Sequence, residues 1–210
     1  MELEVIQNVE YVRGKTVITF ESGWRVWLNK EPVPEFPLEK NVQIEHEQFE
    51  KFVVVNQYPA ALEKAVTMLA MRDRSIKEIY EILQKFHFEP GVIKLAVFKL
   101  EKEGLLDDQK FSIQWVQNRI QKYGPSRIAR ELHIKGIDNE TSAKAFESCN
   151  EEEQLQAAVS TALKKIKQTL GKEDRITMYR KITAMLVRRG YSWETAKKAF
   201  NTAYAEIDKI

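Results

Sequence analysis

A chain of 210 residues, 43% hydrophobic and 30% charged, suffices for one large soluble domain or a string of small ones. No stretch approaches the roughly 20 apolar residues that cross a bilayer. The acidic start (Glu2, Glu4) lacks signal-peptide character and a lone Cys149 excludes a disulfide framework, so a cytoplasmic protein is expected. The net charge of +2 hides a division: residues 1–60 carry 6 Lys+Arg against 10 Asp+Glu, and the remainder carries 27 against 21. The second part has the basic balance of a nucleic-acid or acidic-protein binder.

The first 30 residues read as strands. Residues 17–20 and 24–28 are β-branched and aromatic runs separated by Glu21-Ser22-Gly23, which predicts a hairpin, and Val5, Val9 and Tyr11 predict a further strand. Trp24, Val26 and Leu28 alternate with Arg25, Trp27 and Asn29, so one face packs and the other is partly covered. Pro32, Pro34 and Pro37 interrupt regular structure; a short helix over 47–55 leads to Tyr58-Pro59, where the N-terminal region is expected to end.

From Ala60 onward the periodicity is helical. Leu62, Ala65, Val66 and Leu69 form a first stripe; Ser75 with Glu78 reads as a capping box for a second helix bearing Ile79 and Leu83; Pro90 opens a third that stops at Gly104. Asp108 caps the next, with Ile113, Val116 and Ile120. Gly124-Pro125-Ser126 breaks that helix and starts another, which ends at Gly136. Asp138 opens one to Cys149, and Asn150 with Glu153 a long one to Gly171. Two more cover 176–189 and 193–207.

These helices repeat. Ile79, Leu83 and Phe88 return as Ile128, Leu132 and Ile137, then as Ile182, Leu186 and Tyr191, at the same offsets. The residue before the last member is His87, Gly136 and Gly190, and nine positions after that member stand Val97, Phe146 and Phe200. The expected fold is mainly α: three tandem three-helix, helix-turn-helix-like repeats in an elongated curved array, after a small N-terminal β-hairpin region. The divisions expected are 1–57, 58–106, 107–149 and 150–210. Such a repeat builds a binding face rather than a catalytic pocket.

The ordered motifs resemble one family. Gly104-Leu105-Leu106-Asp107-Asp108-x-x-Phe111 with Trp115-Val116 and Arg119, and Gly124-Pro125-Ser126-x-Ile128-x-x-Glu131-Leu132-x-x-Lys135-Gly136-Ile137, are similar to the middle of RecX, the bacterial regulator of the RecA recombinase. Arg72-x-Arg74-Ser75-x-x-Glu78-Ile79 and Leu186-x-Arg188-Arg189-Gly190-Tyr191-Ser192 extend the resemblance over about residues 60–205. His87 departs from a Gly and His133 from an Arg, and some long relatives carry a further unit beyond the third. The resemblance implies a non-enzymatic modulator without a cofactor. It would bind the groove of the RecA filament on single-stranded DNA, block filament growth and lower RecA's ATPase and strand-exchange activity in DNA repair, recombination and the SOS response. Several relatives bind DNA directly, so a direct DNA-binding helical module is the alternative.

The residues agree with that reading. No Gly-x4-Gly-Lys-Ser/Thr is present; Gly171-Lys172-Glu173 lacks the upstream glycine and the hydroxyl. His46, His87 and His133 are scattered without metal-ligand spacing, and Asp107-Asp108 reads as a helix cap rather than a metal site. Five cations (Arg119, Lys122, Arg127, Arg130, Lys135) face Glu131 alone across the Gly124-Pro125 break, and nine lie between Lys164 and Arg189. Guanidinium forks in the first group suit phosphates or carboxylates. Arg188-Arg189 reads equally as a functional pair or as cations on a helix C-terminus. Trp115, Phe111, Phe146, Phe200 and Tyr204 are expected in the core, Cys149 as a small core residue, and Tyr123 as the aromatic placed to stack on a base. Trp24 or Trp27 serves a protein contact or packs the hairpin on the helices. The residues expected to meet RecA or DNA are Arg72, Arg74, Arg119, Lys122, Tyr123, Arg127, Arg130, Lys135, Arg188 and Arg189. The partners expected are the RecA filament and single-stranded DNA, then double-stranded DNA, with no membrane and a monomeric chain.

Overall fold

A computed structural model describes residues 2–147 and 149–207. Four strands, β1 (Leu3–Val12), β2 (Lys15–Phe20), β3 (Arg25–Leu28) and β4 (Gln43–Glu45), precede the helices. These are α1 (His46–Met71), α2 (Ile76–Lys85), α3 (Pro90–Lys102), α4 (Asp108–Arg119), α5 (Pro125–Ile134), α6 (Asn139–Glu147), α7 (Glu151–Thr169), α8 (Arg175–Arg188) and α9 (Trp193–Ile207). The chain divides into two compact units, 1–106 and 107–210. None of the described helices is long and apolar enough to cross a membrane.

In the first unit the expected hairpin, β2–β3, and the expected further strand, β1, form an antiparallel sheet of order β3-β2-β1-β4, to which β4 is an addition. The edge strand β4 has only three residues, too few for alternation to announce it. Ile6, Ile18, Phe20, Val26 and Leu28 pack one face of the sheet against Phe49 and Val53 of α1. The other face is covered as well: Trp27, only 7% exposed, enters the core of α1, α2 and α3 and meets Phe88 edge-on at 5.0 Å. Trp24 stacks on Phe20 at 5.1 Å. Trp27 is thus taken up by packing between sheet and helices, and Trp24 packs on the sheet core while staying partly exposed.

Helix α1 runs through the break expected at Tyr58-Pro59, with Pro59 exposed inside it. A proline removes one helical hydrogen bond, but tertiary bonds hold the preceding turn. Gln57, fully buried, donates to the Trp27 carbonyl at 2.7 Å and accepts the Glu89 amide at 3.0 Å. Asn56 accepts the Asn29 amide at 2.7 Å and donates to the Asn29 carbonyl at 3.2 Å. The indole of Trp27 donates to the His87 carbonyl at 2.7 Å. One continuous helix thus serves the sheet core with its first half and the first helical core, through Ala61 and Ala65, with its second.

The second unit holds two further three-helix cores, Phe111–Val116–Ile128–Leu132 among α4 to α6, and Ala158–Ile166–Ile182–Phe200 among α7 to α9. In each repeat the first and third helices make the most extensive contact. Ser75 and Glu78 form the expected capping box. The cap of α4 is Asp107, whose carboxylate accepts the Gln109 and Lys110 amides at 2.9 and 3.0 Å, and not Asp108, which stands one place inside the helix. Asn150 caps α7 through the Glu152 amide, one residue short of the expected Glu153. Asp138 and Ser192 accept the Thr141 and Thr195 amides.

The repeated signature is a helix C-terminus of Schellman type. His87, Gly136 and Gly190 all adopt positive φ, of 58°, 87° and 94°. Their amides bond to the carbonyls of Gln84, His133 and Val187, each at 2.9 Å. The amides of Phe88, Ile137 and Tyr191 bond to Leu83, Leu132 and Leu186 at 3.3, 3.1 and 3.2 Å. Those bonds and the apolar contact that accompanies them fix the five-residue offset seen in the sequence. Tyr191 is the one member with a hydroxyl; it is buried without a hydrogen-bond partner among the described residues, and burial pushes its pKa up.

Two stability measurements check this packing. Gln57→Leu strips a carbonyl and an amide of their buried partner and should lower the urea unfolding free energy by about 2–3 kcal/mol; a loss below about 0.5 kcal/mol would contradict the clamp. Tyr191→Phe removes an unpaired buried hydroxyl and should stabilise by about 1 kcal/mol.

Candidate functional site

Helix α4 carries Phe111, Trp115 and Arg119 at four-residue intervals, which places them along one face. The rings of Phe111 and Trp115 stack at 5.6 Å, and the Arg119 guanidinium lies 4.4 Å over Trp115. Tyr123, in the turn before α5, sits 5.7 Å from that guanidinium and 3.9 Å from the one of Arg127. Lys135, just after α5, closes the other side at 4.3 Å from the Trp115 ring. The result is a ladder of alternating cations and rings along α4 and α5.

Glu131 organises it. Its carboxylate accepts from the Trp115 indole and meets the Nε atoms of Arg119 and Arg127, all at 3.3 Å. These side chains are 22–40% exposed. Ion pairs this exposed add little to stability, and each cation–π contact adds about 0.5–1 kcal/mol, so the cluster's main effect is orientation. Both arginines engage Glu131 through Nε, and their terminal amino groups have no acceptor among the described residues. Two pre-oriented forks held over aromatic rings suit oxyanions that accept two parallel hydrogen bonds, carboxylate or phosphate.

Trp115, expected in the core, is half-buried and forms the centre of the ladder. Its i, i+4, i+8 spacing with Phe111 and Arg119 was the available signal. Glu131 looked like a lone interruption of a basic run, and only tertiary geometry makes it the hub. Of the residues expected in the site, Arg119, Tyr123, Arg127 and Lys135 come together here; Arg130 is exposed on α5 outside the ladder. Lys122 and Arg189 line a separate cleft with Lys164 and Lys165, and Arg188 lies beside Lys165, Lys181 and Glu173. In the first unit Arg72 is paired with Glu78 at 2.8 Å, and Arg74 donates to the Met68 carbonyl at 3.0 Å. Both brace the corner between α1 and α2.

Repeats two and three meet at two glycines. The Gly124 amide donates to the Arg189 carbonyl at 2.9 Å, and the Ser126 amide to the Gly190 carbonyl at 3.2 Å. A Cβ on Gly124 would fall on the backbone of Gly190 and Tyr191, and one on Gly190 would lie 2.5 Å from the Arg127 nitrogen. Only two bare Cα positions permit this approach. The contact fixes Arg127 and Arg189, and with them the ladder and the cleft.

Family models described as the second and third three-helix domains of RecX match residues 107–145 and 151–200. The regulatory protein RecX of Listeria welshimeri is 31% identical over 193 residues, 91% of this chain and 71% of that protein. This chain belongs to the RecX family. The RecX of Streptococcus uberis is 25% identical over 206 residues, 97% of this chain and 79% of its own length. The crystal structure of RecX from Lactobacillus salivarius superposes with a TM-score of 0.64 at 22% identity, covering 73% of this chain and 98% of that one. A second RecX crystal structure gives 0.63 at 20% identity, covering 91% and 96%. The RecX second-domain match takes in the whole ladder, from Phe111 to Lys135.

Gly190→Ala tests the joint. It adds a Cβ to a residue at φ 94° and drives it into the Arg127 backbone, and should destabilise by about 2–3 kcal/mol in chemical denaturation. A loss below about 0.5 kcal/mol would show the contact to be loose.

Proposed function

We propose that this chain is a non-catalytic, monomeric, cytoplasmic regulator that inhibits a RecA recombinase by binding the RecA filament on single-stranded DNA. The reading draws on membership of the RecX family and on one observation: the Glu131-centred ladder of Trp115, Arg119, Tyr123, Arg127 and Lys135. Aromatic and arginine side chains that are held in place but not covered are the composition of a protein-binding hot spot. An acidic strip on the filament is the complementary surface, with carboxylates reaching the terminal amino groups of Arg119 and Arg127. Tandem repeats let one chain touch neighbouring subunits, which raises the effective concentration of each contact.

The test is RecA's ATPase on single-stranded DNA. Sub-stoichiometric wild-type protein should inhibit it. Arg119→Ala with Arg127→Ala should raise the concentration for half-inhibition at least about tenfold, the equivalent of about 1.4 kcal/mol, while the folded state survives because exposed pairs contribute little to stability. Arg119→Lys with Arg127→Lys keeps the charge but loses the fork, and should restore little of the inhibition. An unchanged ATPase at equimolar wild-type protein would overturn the proposal, as would full inhibition by the double alanine variant.

A further inference from the structure

Strand β1 runs for 10 residues, but only its first half is paired on its outer side. There β4 covers Leu3–Val5, the Ile6 amide donates to the Val42 carbonyl at 2.9 Å, and the Ile6 carbonyl accepts the Asn41 amide at 2.8 Å. Asn41, at φ 67°, turns the chain away, and beyond it the edge is open. The Val12–Lys15 pair closes a two-residue turn in which Arg13 and Gly14 both have positive φ, of 51° and 80°. Bonded pairs alternate along an antiparallel ladder, so Val12, Glu10 and Asn8 bond to β2, while Val9 and Tyr11 turn their amides and carbonyls outward. These outward groups have no hydrogen-bond partner among the described residues.

The opposite edge of the sheet, β3, is protected. Its Trp27 carbonyl accepts Gln57 at 2.7 Å, and Asn29 just beyond it is bonded through both amide and carbonyl to Asn56. Open edges are commonly blunted by lysine or proline, and residues 7–12 contain neither. Tyr11 is 85% exposed. Val9 and Tyr11 share the face whose deeper residues, Ile18 and Phe20, form the sheet core, so an added strand would extend that apolar face. Glu10 stands on the other face. It meets Arg25 at 3.8 Å and accepts from the Asn8 side chain at 2.7 Å, but these groups are exposed and the ion pair is weak.

Glu10 selects the occupant. In the two-fold antiparallel register that uses both outward residues, Val9 would face Tyr11 of a second copy and Glu10 would face its own counterpart. Like charges directly opposite repel, whereas a cation at that place is attracted. The surroundings favour the cation as well, since residues 1–60 carry 10 acidic against 6 basic side chains. We infer that the open edge of β1, Val9–Val12, takes up by strand addition an extended segment of another protein that sets a lysine or arginine, flanked by two apolar residues, opposite Glu10.

The probe is the blocked peptide Thr-Val-Lys-Val-Thr, titrated into the isotopically labelled full chain and followed by amide NMR. The Val9 and Tyr11 amide protons should shift downfield and exchange more slowly with solvent as they gain hydrogen bonds. Methylating both valine nitrogens of the peptide removes the donors that face the Val9 and Tyr11 carbonyls and should abolish binding. Glu10→Lys should weaken the peptide at least about fivefold, because an attractive cross-strand pair becomes a repulsive one. A peptide with glutamate in place of lysine should bind that variant better than it binds wild type. Circular dichroism should show the variant folded. Unchanged Val9 and Tyr11 amides with peptide in excess, equal binding of the methylated peptide, or indifference to the charge swap would each overturn the inference. So would a dimer in sedimentation equilibrium that Tyr11→Pro dissolves, which would assign the edge to a second copy. All of these are read without RecA and leave the ATPase test independent.

Discussion

A residue in the left-handed backbone region ends the second helix of each repeat, and the arrangement of the chain depends on it. At His87, Gly136 and Gly190 the backbone reverses so that the next residue's amide reaches a carbonyl five positions back. That reversal drops Phe88, Ile137 or Tyr191 into the core and sets the direction of the third helix. At Gly190 the turn has a second role. Its carbonyl and that of Arg189 accept amides from the start of α5, so the same bend that closes repeat three also docks it on repeat two. A side chain is tolerated where the turn faces solvent, as at the exposed His87, and not where it faces another backbone.

Function follows from what is built beside these turns. The cores repeat, but the surfaces do not. In the second repeat a carboxylate placed between two guanidiniums and an indole converts a basic helix pair into an oriented ladder. Near the joint, cations from the end of α4, from α7 and from the end of α8 converge without a carboxylate among them. The two surfaces differ in kind. The first combines flat rings with guanidinium forks, and the second offers charge alone.

Much of this was legible in the chain itself, for physical reasons. Ser75 with Glu78 and Pro90 are local signals whose hydrogen bonds span a few residues, and they sit where expected. The signature Ile-Leu-Phe/Ile/Tyr was legible because a Schellman turn imposes a fixed offset whatever the surrounding sequence. What escaped depends on distant partners. Gln57 and Asn56 look like ordinary polar residues on a helix, yet their bonds run 27 to 32 residues away, and they accompany α1 through Pro59. Glu131 reads as an interruption until α4 brings Trp115 and Arg119 to it. Gly124 and Gly190 each read as a local breaker, and nothing local shows that they touch. Asp107 instead of Asp108 as the cap is a one-residue error of the sort that two adjacent cap-forming residues invite.

The central claim, that the face of α4 and α5 is what meets the RecA filament, is tested most directly by hydrogen–deuterium exchange on the full chain, alone and bound to RecA assembled on single-stranded DNA. The account predicts that binding slows amide exchange most strongly over residues 111–135, around the ladder. Slowed exchange confined to residues 2–106, with 111–135 unchanged, would contradict it.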